Sequence, residues 1–357
     1  MKKPNQLVKG DKVAIVSLSS GMLGEEFCSH NIEIGVERLQ QFGLEPVFMP
    51  NALKGITFLK EHPEARAEDL IEAFRDDSIK GIICAIGGDD TYRLLPYLLE
   101  SKEFIELVKE KPKLFTGFSD TTVNHLMFHK LGMVSYYGMA FIPDLGEIAS
   151  DMLPYTKEAF MGYFAGNEKK IICASNIWYE ERTDFSRAGI GTERVAHKEE
   201  RGYEVLQGSG MFTGKLLGGC LESIYDILVG DRYKEESIIC EKYSLFPEKS
   251  QWKGKILFLE TCEEQPTPEI LAKELLVLKE RGIFDEVSGI IIGKPQDEKF
   301  YEEYKQVFID SVGNKELPIL YNMNFGHALP RCVLPYGIET EVDIDKKTIT
   351  FLESMFA

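Results

Sequence analysis

Short apolar runs alternate with longer amphipathic stretches through the first 145 residues. KVAIVS at 12–17 is rich in β-branched residues and lies between Gly10-Asp11 and a Ser/Gly loop, which predicts a strand. Residues 25–42 place Ile32, Ile34, Val36 and Leu39 at loose helical spacing, and Gly43 stands where a C-terminal cap belongs. The run PVFMP, a helix over about 64–76, the run GIICAI (81–86) and a helix over about 91–100 follow. KLFTGF (113–118) then precedes a helix over about 121–131. Strands alternating with helices predict an α/β, doubly wound, mostly parallel sheet with helices on both faces. Ligands bind such sheets beyond the carboxyl ends of the strands. Three loops fall there: SLSSGMLG (17–24), GGDDT (87–91) and SDTT (119–122).

The pattern changes after residue 165. The stretch 166–212 is charged and punctuated by glycine, and reads as an irregular linker or loop segment. A mixed α/β pattern then restarts. GKLLGG leads into the apolar helix CLESIYDILVG, and KILFLE (255–260) reads as a buried strand. PEILAKELLVLKERGIF is an amphipathic helix with a glycine stop at 282, and VSGIIIG and PILYNM (318–323) are further strands. EVDIDKKTITFLE alternates on both sides of a polar turn, the signal of a β-hairpin. Three units follow: an N-terminal domain over 1–165, the segment 166–212, and a C-terminal domain over 213–357.

Charge narrows the partners. Lys and Arg number 41 against 58 Asp and Glu, a formal net charge of −17. That field repels phosphate backbones and anionic lipid, so neither nucleic acid nor a membrane surface is expected as a partner. The seven cysteines form no CxxC pair and several sit in apolar runs, which fits reduced thiols in a cytoplasmic protein. The N-terminal residues lack a continuous apolar stretch of signal-peptide type, and no apolar run approaches the ~18 residues of a membrane span.

Within this frame a few residues can carry chemistry. Ser119 follows an apolar strand, comes two residues after Gly117 and opens a helix, as a nucleophile at a strand-to-helix elbow does. Position 121 is Thr rather than the second glycine of that motif, and a helix cap by Ser119 or Asp120 is the plainer alternative. GGDDT allows three readings: an oxyanion-hole loop, a tight turn, or a phosphate cradle like the GGDGT loop of diacylglycerol and NAD kinases. In the kinase reading Asp90 takes the third glycine position and crowds a phosphate. Glu260 closes a buried strand and needs a partner, and His327 follows Gly326 in a loop where it could act as a base. Each alone more often reads as structural; with Ser119 they make a Ser, Glu and His set. His125 and His129 share a helix face but have no converging ligands in sequence, so no metal is expected. Trp178 either stacks on a ligand ring or pins its loop.

GFSD and NFGH, separated by ILFLE, together with GDKVAIVSLSSG and GKLLGGCLESIYDILVG, resemble one family over nearly the whole chain. It is the family of serine peptidases that includes LD-carboxypeptidases (murein tetrapeptide carboxypeptidases) and the microcin C self-immunity peptidases. The resemblance implies an N-terminal α/β domain, a C-terminal domain with barrel-like β structure, and a homodimer. It implies Ser119 as nucleophile, His327 as base and Glu260 as its orienting carboxylate, with the N–H groups of Gly88 and Asp120 as oxyanion hole. It implies no cofactor. GGDD and the segment around Trp178 look more like the microcin-immunity branch, which gives Gly87, Asp89 and Trp178 to the substrate. The implied substrate is a small peptide, a muropeptide losing D-Ala, or a peptidyl- or aminoacyl-nucleotide. A nucleotide-using kinase and a non-catalytic binding protein are the remaining alternatives.

Overall fold

The computed structural model describes residues 1–165 and 170–357. The expected boundary after residue 165 therefore abuts residues 166–169, which lie outside the described residues. Strands of the first half are β1 (Lys12–Val16), β2 (Glu45–Phe48), β3 (Ile79–Cys84), β4 (Leu114–Gly117) and β5 (Tyr136–Tyr137). The helices among them are α1 (Ser29–Gln41), α2 (Gly55–Glu61), α3 (Pro63–Arg75), α4 (Leu95–Leu99), α5 (Lys102–Glu110) and α6 (Thr122–Leu131), with α7 (Pro154–Met161) after them.

The first sheet runs β2-β1-β3-β4-β5, all parallel. Strand order reverses at β1, so right-handed crossovers send α1 and α3 to opposite faces. The crevice at that reversal lies between the loops after β1 and β3, with the loop after β4 beside it. The strand cores are fully apolar because both faces are covered: Ile82, Ile83, Leu114 and Phe115 are buried. The helix expected over 25–42 opens as one short 3-10 turn (Glu26–Cys28) and becomes α-helical at Ser29, and Gly43 follows it with φ +83°.

The second half supplies β6 (Ile171–Ile172), β7 (Ile177–Tyr179), β8 (Ala196–Lys198), β9 (Glu204–Gln207), β10 (Met211–Cys220), β11 (Ile256–Glu260), β12 (Gly289–Gly293), β13 (Ile319–Met323), β14 (Leu334–Pro335), β15 (Glu339–Asp343) and β16 (Thr348–Phe351). Its helices are α8 (Leu221–Val229), α9 (Lys234–Lys242), α10 (Pro268–Glu280) and α11 (Tyr301–Val312). Eight strands form one sheet, ordered β6-β16-β15-β10-β11-β12-β13-β9. The long β10 pairs antiparallel with β15 through Met211–Lys215 and parallel with β11 through Leu216–Cys220. One strand thus serves two pairing modes, and the sheet curls into a half-barrel. The stretch read as irregular carries strands: β6 and β9 edge this sheet, and β7 and β8 pair with Trp178 opposite His197. The hairpin expected at 341–353 is β15–β16, with Asp343 opposite Thr348.

Two of the links between the halves bear directly on the strand ends. β14 crosses back to pair with β5 at the edge of the first sheet. The N–H of Cys220, at the end of β10, donates to Thr122 Oγ1 at 3.0 Å, on the first turn of α6. Both links bring the carboxyl ends of β4 and β11 together. Among the described residues, no helix is long and apolar enough to cross a membrane.

Candidate active site

Ser119 sits where β4 turns into a short 3-10 turn ahead of α6, with φ +66°. The left-handed region is costly for a residue with a Cβ, and such strain persists only where the surroundings impose it. Those surroundings are tight. A Cβ on Gly87 would lie 2.8 Å from Ser119 Cβ and 3.0 Å from its Oγ, so only glycine lets the β3 loop pass. Gly88, at φ +151°, would press any Cβ into Ser19.

The loop is held from below by a buried polar network. Arg66 is fully buried and grips Asp90 through both terminal nitrogens, at 2.6 and 3.2 Å. Asp120 accepts from Ser19 Oγ at 2.6 Å and from the Thr91 N–H at 3.0 Å. Burial pushes the Asp120 carboxyl up to about 6 against those two hydrogen bonds. Asp90 therefore points into Arg66 as an anchor, which explains an aspartate where a phosphate cradle needs glycine.

Glu260 and His327 arrive from the other half. His327 Nε2 lies 3.0 Å from Ser119 Oγ, and its Nδ1 lies 2.8 Å from Glu260 Oε2. Glu260 is 1% exposed at the end of β11, and its charge is offset by three donors. These are the His327 ring, the His327 N–H at 3.2 Å, and the Tyr137 hydroxyl on its other oxygen. Gly326, at φ +81°, packs its α-carbon against this carboxylate; a side chain there would collide with it. The glycine of NFGH thus has a steric reason.

Sequence reasoning missed several neighbours. Tyr137 accepts the Ser119 N–H at 3.1 Å while donating to Glu260, so one phenol ties the serine elbow to the carboxylate. Its partner assignments depend on β5 lying beside β4, which no local pattern reveals. Glu263 also escaped: its Oε2 lies 2.9 Å from His327 Nε2. The cavity at Ser119 is further lined by Gly88, Asp89, Asp120, Glu222, Arg232 and Glu264. Asp89 accepts from the Tyr233 hydroxyl at 3.0 Å.

The remaining candidates lie elsewhere. Trp178 is not among the residues lining this cavity. One of its faces stacks on His197 at 4.2 Å, and Lys294 approaches its ring at 5.0 Å. Its hairpin does dock beside the His327 loop, through the Tyr179 N–H to Leu329 O at 3.1 Å. His125 is buried between Ser135 Oγ and Gly117 O, and burial lowers it to about 3. Its role is to brace the β4 turn. Cys220, Glu260 and His327 offer ligand atoms within 4.8 Å of one another, but Glu260 and His327 already bond each other.

A strained serine at a strand-to-helix elbow, facing an imidazole held by a buried carboxylate, is the arrangement of a serine peptidase. Sequence comparison gives the family. The LD-carboxypeptidase N-terminal domain matches residues 13–138 and the LD-carboxypeptidase C-terminal domain matches 213–342, and the chain belongs to this family of serine peptidases. A solved MccF-like protein from Streptococcus pneumoniae, in complex with AMP, is 50% identical with a TM-score of 0.91, over 96% of this chain and 98% of that one. A structure of the microcin C7 self-immunity protein MccF with aspartyl sulfamoyl adenosine is 25% identical, with a TM-score of 0.81 and full coverage of both chains (100% and 100%). A probable murein peptide carboxypeptidase of Bacillus subtilis is 26% identical over 97% of this chain and 93% of its own.

Proposed function

We propose that Ser119, Glu260 and His327 form the catalytic triad of an amide hydrolase acting near a peptide C-terminus. The observation that carries this is the chain of contacts from Ser119 Oγ through the His327 ring to Glu260, at 3.0 and 2.8 Å. In this mechanism Ser119 Oγ attacks the scissile carbonyl and His327 Nε2 takes its proton. Glu260 fixes the ring with Nε2 toward the serine and stabilises the imidazolium. The N–H groups of Gly88 and Asp120, both at the cavity wall, receive the oxyanion. His327 then protonates the leaving amine, and water releases the acyl group by the same steps in reverse.

The substrate we favour is an aminoacyl- or peptidyl-nucleotide, as for the microcin-immunity branch. The AMP bound by the 50% identical relative and the aspartyl sulfamoyl adenosine bound by MccF support it. Gly87 and Asp89 would shape the pocket. Trp178 would take the base only on the ring face that His197 leaves open. The family also contains murein carboxypeptidases, so release of D-Ala from a tetrapeptide is the second reading. The proposal includes a cytoplasmic homodimer; light scattering tests the dimer.

Intact-mass kinetics on both substrates, with wild type and Ser119→Ala in parallel, decides. Nucleotide release by wild type alone supports the first reading, D-Ala release by wild type alone the second. Full turnover by Ser119→Ala sinks the triad.

A further inference from the structure

The cavity holds a carboxylate that the triad does not use. Glu263 lies in the turn after β11, and its Oε2 is 2.9 Å from His327 Nε2. That is the nitrogen standing 3.0 Å from Ser119 Oγ. An anion at this distance keeps a proton on Nε2, and a protonated Nε2 cannot accept one from serine. Burial opposes charge on the ring, but Glu260 and Glu263 outweigh it and raise His327 to about 10. The hydrogen bond from His327 in turn holds Glu263 down at about 2.

The cavity beside Ser119 opens to solvent, and Glu263 is one of its lining residues. The Glu263 side chain is 64% exposed, so it is free to swing outward. Its surroundings decide what would draw it away. The cavity wall carries Asp89, Glu222, Asp226, Glu236 and Glu264 against a single guanidinium, Arg232. Arg232 is already engaged by Glu264 at 2.7 Å and by Asp89 and Asp226 at 3.7 and 3.8 Å. Glu222 keeps one carboxylate oxygen buried without a partner. With Arg232 spent on Asp89, Asp226 and Glu264, the free oxygen of Glu222 remains as an acceptor for a cation.

We propose that Glu263 is a specificity-determining residue that receives a free ammonium on the substrate residue acylating Ser119, and that this pairing releases His327 Nε2 to act as base. The inference rests on the triad reading above. As the ammonium replaces Nε2–H as the partner of Glu263, the Nε2 proton leaves to water. Ser119 then gives its proton to Nε2 as the Oγ–carbon bond forms. The ammonium is the α-ammonium of an aminoacyl nucleotide or the side-chain ammonium of a diamino acid in a stem peptide; the two share this chemistry. Other charged or titratable groups face His327: Glu260 from β11, Cys220 from the end of β10, Ser119 from the β4 turn, and Arg331 on its own loop. Arg331 is held by Asp144 at 3.1 Å. None of these is expected to change with substrate charge.

The test uses aminoacyl sulfamoyl adenosine and a diaminoacyl tetrapeptide, each with its ammonium free or acetylated. Wild type, Glu263→Gln and Ser119→Ala are assayed across pH. For the scaffold that is cleaved, acetylation should lower wild-type kcat/KM by about 10²-fold or more, because acceptors built for a cation are left unpaired. Glu263→Gln should shrink that ratio to within a few-fold and move the acid limb of kcat/KM down by at least about one pH unit. Equal cleavage of free and acetylated substrate by wild type would overturn the proposal, as would unchanged discrimination in the variant. NMR titration of the His327 ring, assigned with His327→Asn, reads the resting contact without turnover. A pKa unmoved by Glu263→Gln also overturns the proposal. Activity in Ser119→Ala would instead fault the triad.

Discussion

The two walls of the cleft spend their charges differently. On the N-terminal side, Arg66 answers Asp90, and Ser19 and the Thr91 N–H answer Asp120. On the C-terminal side, buried carboxylates face one another. Burial and the neighbouring Glu260 raise Glu222, and burial with Asp120 and Asp226 raises Glu236 to about 9. A wall of matched pairs holds the Gly87-Gly88 loop still. A wall of crowded, buried acid gives up stability.

Breaking the nucleophile gives the largest effect. Ser119→Ala should lower kcat on the order of 10⁴-fold or more, with the fold intact by circular dichroism. Ser119→Gly sharpens the point, because φ +66° costs a glycine little. It should be as inactive yet about 1 kcal/mol more stable in urea denaturation. If glycine there destabilises, the elbow is not strained.

Arg66→Ala breaks the matched wall. It leaves the Asp90 carboxylate buried without its bidentate partner, an expected loss of about 3–5 kcal/mol. Activity should fall with stability, since the oxyanion loop loses its anchor. Arg66→Lys should rescue little, because one ammonium cannot make both bonds. Thermal melts of the two variants beside wild type check this.

Gly326→Ala perturbs the seam between the walls. At φ +81° its methyl would meet the Glu260 carboxylate and push it off His327. A drop in kcat of about 10²-fold with KM little changed is expected, since small misplacements of catalytic groups cost that much. Near-normal kcat would mean that Glu260 is not required where it stands.

Much of this was legible in the sequence, for identifiable reasons. The strands of the first sheet are covered on both faces, so they appear as unbroken apolar runs between Gly and polar loops. Ser119 stands at the end of such a run, and so does Glu260. The α11 helix was missed although Tyr301, Tyr304, Phe308 and Val312 mark one buried face at helical spacing. Short β6 and β9 were not legible at all, because they exist through partners far along the chain, β16 and β13. The same holds for Tyr137 and Glu263. Tyr137 reaches Glu260 only through the β4–β5 pairing, and Glu263 meets His327 across 64 positions of sequence (327 − 263). Chemistry at strand ends leaves local marks, whereas chemistry made by packing one wall on the other does not.

The smallest expected effect is also the most direct comparison of the walls. Glu236 is 2% exposed, and its carboxyl titrates near 9 in the fold against about 4.5 in the open chain. Between those values the folded protein binds more protons than the unfolded chain, so stability falls as pH rises. The contribution is fully present below about pH 4.5 and lost as pH rises through about 9. Glu236→Gln keeps the shape and removes the titration. It should leave Tm unchanged near pH 4.5 and raise it at pH 9. Calorimetry of both proteins at the two pH values reads the difference. The matched wall sets the contrast: Asp90→Asn leaves Arg66 buried without its counter-charge and should lower Tm at both pH values. If Glu236→Gln also lowers Tm at pH 9, the acid on that wall is stabilising, and the two walls do not differ in kind.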